Sequence, residues 1–160
     1  IPFPIIGRNN STLAAKFGAN ENNRFQMTKP NSLWGIHVDE MPNFYMMVGP
    51  QSLNPVTNVT LLCEQQAKYI AKLVVGMHEN GYSCVEPRED AVMEWTNLCN
   101  SSSEGKVWLR CNNWYMKTTK TDAAKDREKG AGMWMDTYEE YLSHVLDGKA
   151  GTQRDLLEFS

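Results

Sequence analysis

A mainly helical α+β fold with a few short strands is expected of this 160-residue chain on three grounds. Apolar residues recur at helical spacing in three stretches, those stretches carry start and stop signals, and the β-type runs between them are short and broken by turn residues. Apolar residues make up 41% of the sequence, enough for one domain with its own core. Residues 1–160 are read as that single domain, with 1–33 an extended N-terminal segment leading into 34–160.

The opening IPFPIIGRNN reads as a short strand running into a Gly-Arg-Asn-Asn turn, because bulky apolar residues alternate with proline before the turn chemistry begins. Ser11 to Ser32 is polar and Asn-rich, a surface segment with one helical turn near Leu13 to Phe17. Trp34 to Val38 and Asn43 to Val48 are read as two strands, joined by a turn at Asp39, Glu40, Met41 and Pro42. The strongest helix is Thr60 to Glu79: apolar residues recur at Leu62, Cys63, Tyr69, Ile70, Leu73, Val74 and Met77, and Asn80-Gly81 closes it. A second helix is expected over Pro87 to Cys99, with Pro87 at its start, Glu89 and Asp90 in the first turn, and a face of Ala91, Val92, Trp95 and Leu98. Ser101 to Gly105 ends it or frays. A third, Asp136 to Leu146, has Asp136 and Glu139 at capping-box spacing and closes at Asp147-Gly148. Lys117 to Lys129 is charged, poor in apolar residues, and read as solvated.

Composition excludes several functions. The formal charge is -3, with no basic stripe to track a phosphate backbone, so nucleic acid is not an expected partner. The longest apolar stretch, Ile70 to Met77, is broken by Lys72 and Gly76 and falls short of the roughly 20 residues that cross a bilayer. His37, His78 and His144 are scattered and no CxxC occurs, so no metal site is expected. The chain begins at Ile1 without an initiator Met, which leaves an upstream targeting segment open. Sequons make Asn10, Asn58 and Asn100 candidate glycosylation sites. Cys63, Cys84, Cys99 and Cys111 allow two disulfides in an oxidising lumen or four buried thiols. The secretory route and the cytoplasm therefore both stay open as locations.

The order of several motifs matches one family. WGIHVDEMPNFYMMVGPQS, Trp34 to Ser52, resembles the stretch near the end of the FAD domain of fungal-type Baeyer–Villiger flavin monooxygenases, where a strand ends at Pro-Asn and an aromatic and a Gly-Pro then face the flavin. Leu53 to Ile70, with Glu64, Gln65 and Gln66, is similar to the following Ser/Thr-Asn and helix with its E-x-Q or E-Q-H element. MEWTNLC (Met93 to Cys99) and NWYM (Asn113 to Met116) resemble two further Trp-containing elements in family order. FPIIGRNN, Phe3 to Asn10, and the tail from Trp134 to Ser160 resemble the family more loosely. The resemblance implies that Gly49, Pro50, Thr57 and Asn58 line one face of the flavin. Yet the sequence has neither G-x-G-x-x-G turn for a dinucleotide pyrophosphate, nor the family's F-x-G-x-x-x-H-x-x-x-W-P fingerprint.

Two kinds of chain fit: a truncated relative with a new task, or a fragment of an FAD- and NADPH-dependent monooxygenase. The first is the leading expectation. It makes the protein a cofactor-independent cyclase, such as a Diels–Alder pericyclase, acting on a small hydrophobic fungal metabolite, working through preorganisation and a polarising donor. Trp34, Met46, Met47, Trp114 and Met116 are its candidate pocket walls, and His37, Gln51 and Tyr115 its candidate catalytic donors. Each has a plainer reading: Met and Trp as core fillers, His37 as a hydrogen-bonded strand histidine. A homodimer is expected to cover exposed apolar surface, and a non-catalytic binding partner in a biosynthetic pathway is a further alternative.

Overall fold

The computed structural model describes residues 4–19, 30–52, 57–106, 133–146 and 153–160. Order begins with local turn chemistry: Gly7 leads into a one-turn 3-10 helix at Arg8–Asn10, and Ile6 and Thr12 meet across it in an isolated bridge. Thr12 then caps a single turn, α1 (Leu13–Lys16), its hydroxyl accepting from the Ala15 N–H. The helical turn expected there is present. Lys16 pairs with Asp39 and, at 3.3 Å, with Glu40, which ties the turn to the next segment.

The long helix α2 (Val59–Glu79) is the scaffold. Asn58 caps it, Oδ1 accepting from the N–H groups of Thr60 (3.0 Å) and Leu61 (3.3 Å). Its buried residues are Leu62, Gln66, Tyr69, Leu73 and Met77, spaced at three and four as one helical face requires. Burying each large apolar member is worth on the order of 1.5–3 kcal/mol. Asn80 and Gly81, the latter at φ +73°, close the helix where expected.

Three residues form β1 (Val85–Pro87) before α3 (Glu89–Ser103), which buries Ala91, Val92, Trp95 and Cys99 in the same core as the buried face of α2. Further along come α4 (Tyr138–Val145), a four-residue α5 (Gln153–Leu156) and β2 (Leu157–Phe159). β1 and β2 pair antiparallel, Val85 opposite Phe159 and Pro87 opposite Leu157. The other side of β1 is held by Asn43, whose N–H donates to the Val85 carbonyl and whose Oδ1 accepts from the Val85 N–H. One large core runs from Leu33 and Trp34 through α2, α3 and α4 to Leu157. A smaller one joins Leu13, Phe17, Val38 and Met41.

Several expectations are corrected. Trp34 to Val38 and Asn43 to Val48 are not strands. Trp34 (φ 60°), Gly35 (φ 70°), Glu40 (φ 61°), Asn43 (φ 56°) and Val48 (φ 55°) adopt the left-handed region and repeatedly reverse the chain, leaving only an isolated bridge between Leu33 and His37. Pro87 does not start the second helix but ends β1, where a residue without an N–H is tolerated on a short edge. Arg88 is the cap, and α3 runs on to Ser103. The capping box of α4 is Thr137 with Glu140, one residue later than Asp136 with Glu139. The opening strand is reduced, among the described residues, to the Ile6 bridge, and neither β1 nor β2 was anticipated. Lys117 to Lys129, Asp147-Gly148 and Cys111 lie outside the described residues. Cys63, Cys84 and Cys99 are free thiols. No described helix is long and apolar enough to cross a membrane, and the described residues hold no group of metal-binding side chains.

Candidate functional site

Between Ser32 and Ser52 the chain folds into a turn-rich platform stitched to the helices by two buried glutamines. Gln66, from the apolar face of α2, accepts from the Val48 N–H at 2.8 Å. Its Nε2 donates to the Tyr141 hydroxyl (2.7 Å) and faces the Trp34 carbonyl (3.4 Å). Tyr141 completes the triangle, its hydroxyl donating to the same Trp34 carbonyl at 2.7 Å. Gln51 performs the equivalent task toward α3: Oε1 accepts from the Ser32 N–H (2.9 Å) and Nε2 donates to Thr96 Oγ1 (3.1 Å). Ser32 Oγ donates to the Pro50 carbonyl and accepts from the Gly35 N–H. These polar groups are buried and bonded, as a specific core requires.

Gly35 and Gly49 are required by close approach. Gly49 N–H donates to the Gly35 carbonyl at 3.0 Å, and a Cβ on Gly49 would lie 2.5 Å from that oxygen. One on Gly35, at φ +70°, would lie 2.1 Å from Ser52 Cβ.

Of the sequence-predicted site residues that are described, Trp34 and His37 meet inside the core. His37 is 1% exposed and sits edge-on to Trp34, Tyr45 and Tyr69, its Nε2 sharing a 2.8 Å hydrogen bond with the Tyr69 hydroxyl. Burial pushes its pKa down to about 3 and holds it neutral; burial also pushes the Tyr69 and Tyr141 hydroxyls up. Gln51 is spent on Ser32 and Thr96. Trp34 is a core residue at 2% exposure, Met46 packs on the smaller cluster, and Met47 is 50% exposed. Trp114, Tyr115 and Met116 lie outside the described residues. Among the sequons, Asn10 is exposed in the 3-10 turn, Asn58 is exposed while capping α2, and Asn100 is half-buried with a buried Oδ1 that finds no partner among the described residues. A cleft of about 410 Å³ lies elsewhere, between Ile6, Arg8, Met41 and Phe44.

Residues not singled out for chemistry hold the platform: Ser32, Gln66, Thr96 and Tyr141. A polar residue in phase with Leu62, Tyr69 and Leu73 was the available signal for Gln66. Of the positions the family resemblance assigns to a flavin face, Gly49, Pro50 and Thr57 are half-buried and Asn58 is exposed. Met47, Val59 and Leu61 add exposed apolar side chains in the same stretch of chain. Exposed Val59 and Leu61 in the first turn of α2 suit one wall of a flat ring bearing carbonyl oxygens. The pyrophosphate end has no cradle in this sequence.

A turn-rich platform on a long helix, with further helices and a minimal sheet among the described residues, is the architecture of a portion of the flavin monooxygenases. Cyclohexanone monooxygenase from Rhodococcus sp. Phi1 bound to NADP+ superposes on 99% of this chain and 27% of its own, with a TM-score of 0.79 at 21% identity. In sequence the chain is similar to a Baeyer–Villiger monooxygenase of Pseudooceanicola batsensis, 29% identical over 85 residues (53% of this chain, 15% of the relative). It is also similar to the FAD-binding monooxygenase BOA2 of the fungus Botryotinia fuckeliana, 29% identical over 103 residues (60% of this chain, 17% of the relative). No family model matches the sequence. The resemblance to Baeyer–Villiger and other flavin monooxygenases therefore holds in both sequence and fold, and in sequence it extends to fungal members. The chain spans only 12 to 18% of the length of the curated relatives it matches.

Proposed function

We propose that this chain supplies one wall of the flavin site in an FAD- and NADPH-dependent Baeyer–Villiger monooxygenase acting on a hydrophobic ketone. The carrying observation is the likeness to cyclohexanone monooxygenase over 99% of the chain, joined to sequence similarity with FAD-binding and Baeyer–Villiger relatives. FAD, when bound, supplies the redox chemistry. This chain's residues do the rest on their side of the ring: Gly49 and Pro50 set the backbone surface, Asn58 fixes the start of α2, and Met47, Val59 and Leu61 offer apolar contact that excludes water. Gln51 and Gln66 hold the platform rigid beneath them.

The cofactor-free cyclase expected from the sequence has less support. The relatives matched are monooxygenases, and His37, Gln51 and Trp34 face core partners instead of converging on a cavity.

The test is a chimera in which this chain replaces the corresponding quarter of a cyclohexanone monooxygenase. It should hold FAD after gel filtration and oxidise NADPH in the presence of a cyclic ketone. A folded chimera that emerges colourless and stays so with added FAD overturns the reading, as does conversion of a linear polyene by the isolated chain without FAD.

A further inference from the structure

Val48 is a β-branched residue at φ 55°, a conformation that persists only where the surroundings over-determine it. The restraint is visible. The Val48 N–H donates to Gln66 Oε1 at 2.8 Å, while the other end of that amide is fixed by Tyr141 and the Trp34 carbonyl. Its neighbour Gly49 is bound to the Gly35 carbonyl, so the left-handed residue sits between two anchors. On the other side of Val48, Met47 is 50% exposed, and Pro50, beyond Gly49, is half-buried. A strained residue beside an exposed apolar side chain, held by a buried amide from another element, is an arrangement that positions something.

We propose that Gln66 is a positioning residue: it holds Val48 in the left-handed region and so sets the shape of the Met46–Pro50 face. What that face serves rests on the flavin reading above; the tether itself does not. Without the amide, Val48 relaxes toward negative φ, the Met47 side chain and the Gly49 backbone turn away, and the wall loses its fit.

Two measurements decide it. In the 160-residue chain, amide hydrogen exchange at Val48 should quicken by about tenfold or more in Gln66→Met, the loss of one hydrogen bond. It should stay slow in Gln66→Glu, which keeps the acceptor oxygen. In the chimera, Gln66→Met should weaken FAD binding by about tenfold, and adding Val48→Gly should restore most of it, because glycine holds positive φ without a tether. A merely structural glutamine predicts the opposite, since a second loosening substitution would deepen the loss. Unchanged Val48 exchange in Gln66→Met, or a double variant that binds FAD no better than the single one, overturns the proposal. If the unsubstituted chimera takes up no FAD, the functional reading fails, and Val48 exchange still decides the tether.

Discussion

Acid should destabilise this protein through His37 in a window that the structure fixes. An unburied imidazole titrates near 6.5, and burial pushes His37 to about 3. The folded pKa is the lower one, so the unfolded chain takes up the proton first. Stability is intact above pH 6.5, falls as pH drops, and levels off below about 3. Between pH 7.5 and 5 the loss is about 2 kcal/mol, and across the whole window it is on the order of 4–5 kcal/mol. Urea unfolding at half-unit pH steps, compared between the native chain and His37→Gln, isolates this contribution because carboxylates add the same slope to both. Glutamine also keeps a partner for the Tyr69 hydroxyl, which bonds the ring at 2.8 Å. The difference curve should slope by about 1.3 kcal/mol per pH unit between pH 6 and 4. Parallel curves, or an imidazole proton signal for His37 that titrates near 6.5 in the folded protein, refute the reasoning.

Other substitutions probe the platform and its supports. Tyr141→Phe keeps the ring but leaves the Trp34 carbonyl and Gln66 Nε2 short of a partner, and should cost about 2–3 kcal/mol in the urea midpoint with an unchanged m value. Gly35→Ala places a Cβ 2.1 Å from Ser52 Cβ at φ +70° and should abolish the cooperative transition, whereas Gly76→Ala, with nothing within 4 Å, should add roughly 0.5–1 kcal/mol. Thr137→Ala breaks the capping box of α4 and should cost about 1 kcal/mol by the same assay.

The helices were legible and the platform was not, for a physical reason. Leu62, Tyr69, Leu73 and Met77 recur every three or four residues, so α2 declares its face without tertiary help. Trp34, Val48 and Gln51 have no local reason to be left-handed; they are held there by partners distant in sequence, the Gln66 amide on the Val48 N–H, the Tyr141 hydroxyl on the Trp34 carbonyl and the Thr96 hydroxyl on the Gln51 side chain. An apolar run such as Trp34 to Val38 looks like a strand because β-type composition reports burial, and this segment is buried on all sides. β1 and β2 have three residues each, too few for alternation to register. Thr137 and Asp136 are both good caps, and only the geometry chooses between them. The family likeness was readable from motif order. That His37, Trp34 and Gln51 are occupied by core partners was not readable, because residue type says nothing about which side chains already have partners.

The pairing of Pro87 with Leu157 places a constraint on biosynthesis. Those positions are roughly 70 residues apart, and at ~5–20 residues per second a ribosome needs about 4 to 14 s to deliver the second after the first. During that interval the edge formed by Val85 and Glu86 has Asn43 on one flank and only solvent or strangers on the other. A nascent chain of this design is most vulnerable to sticking to its neighbours until Leu157 has been delivered, and slower codons after residue 87 would lengthen the exposure.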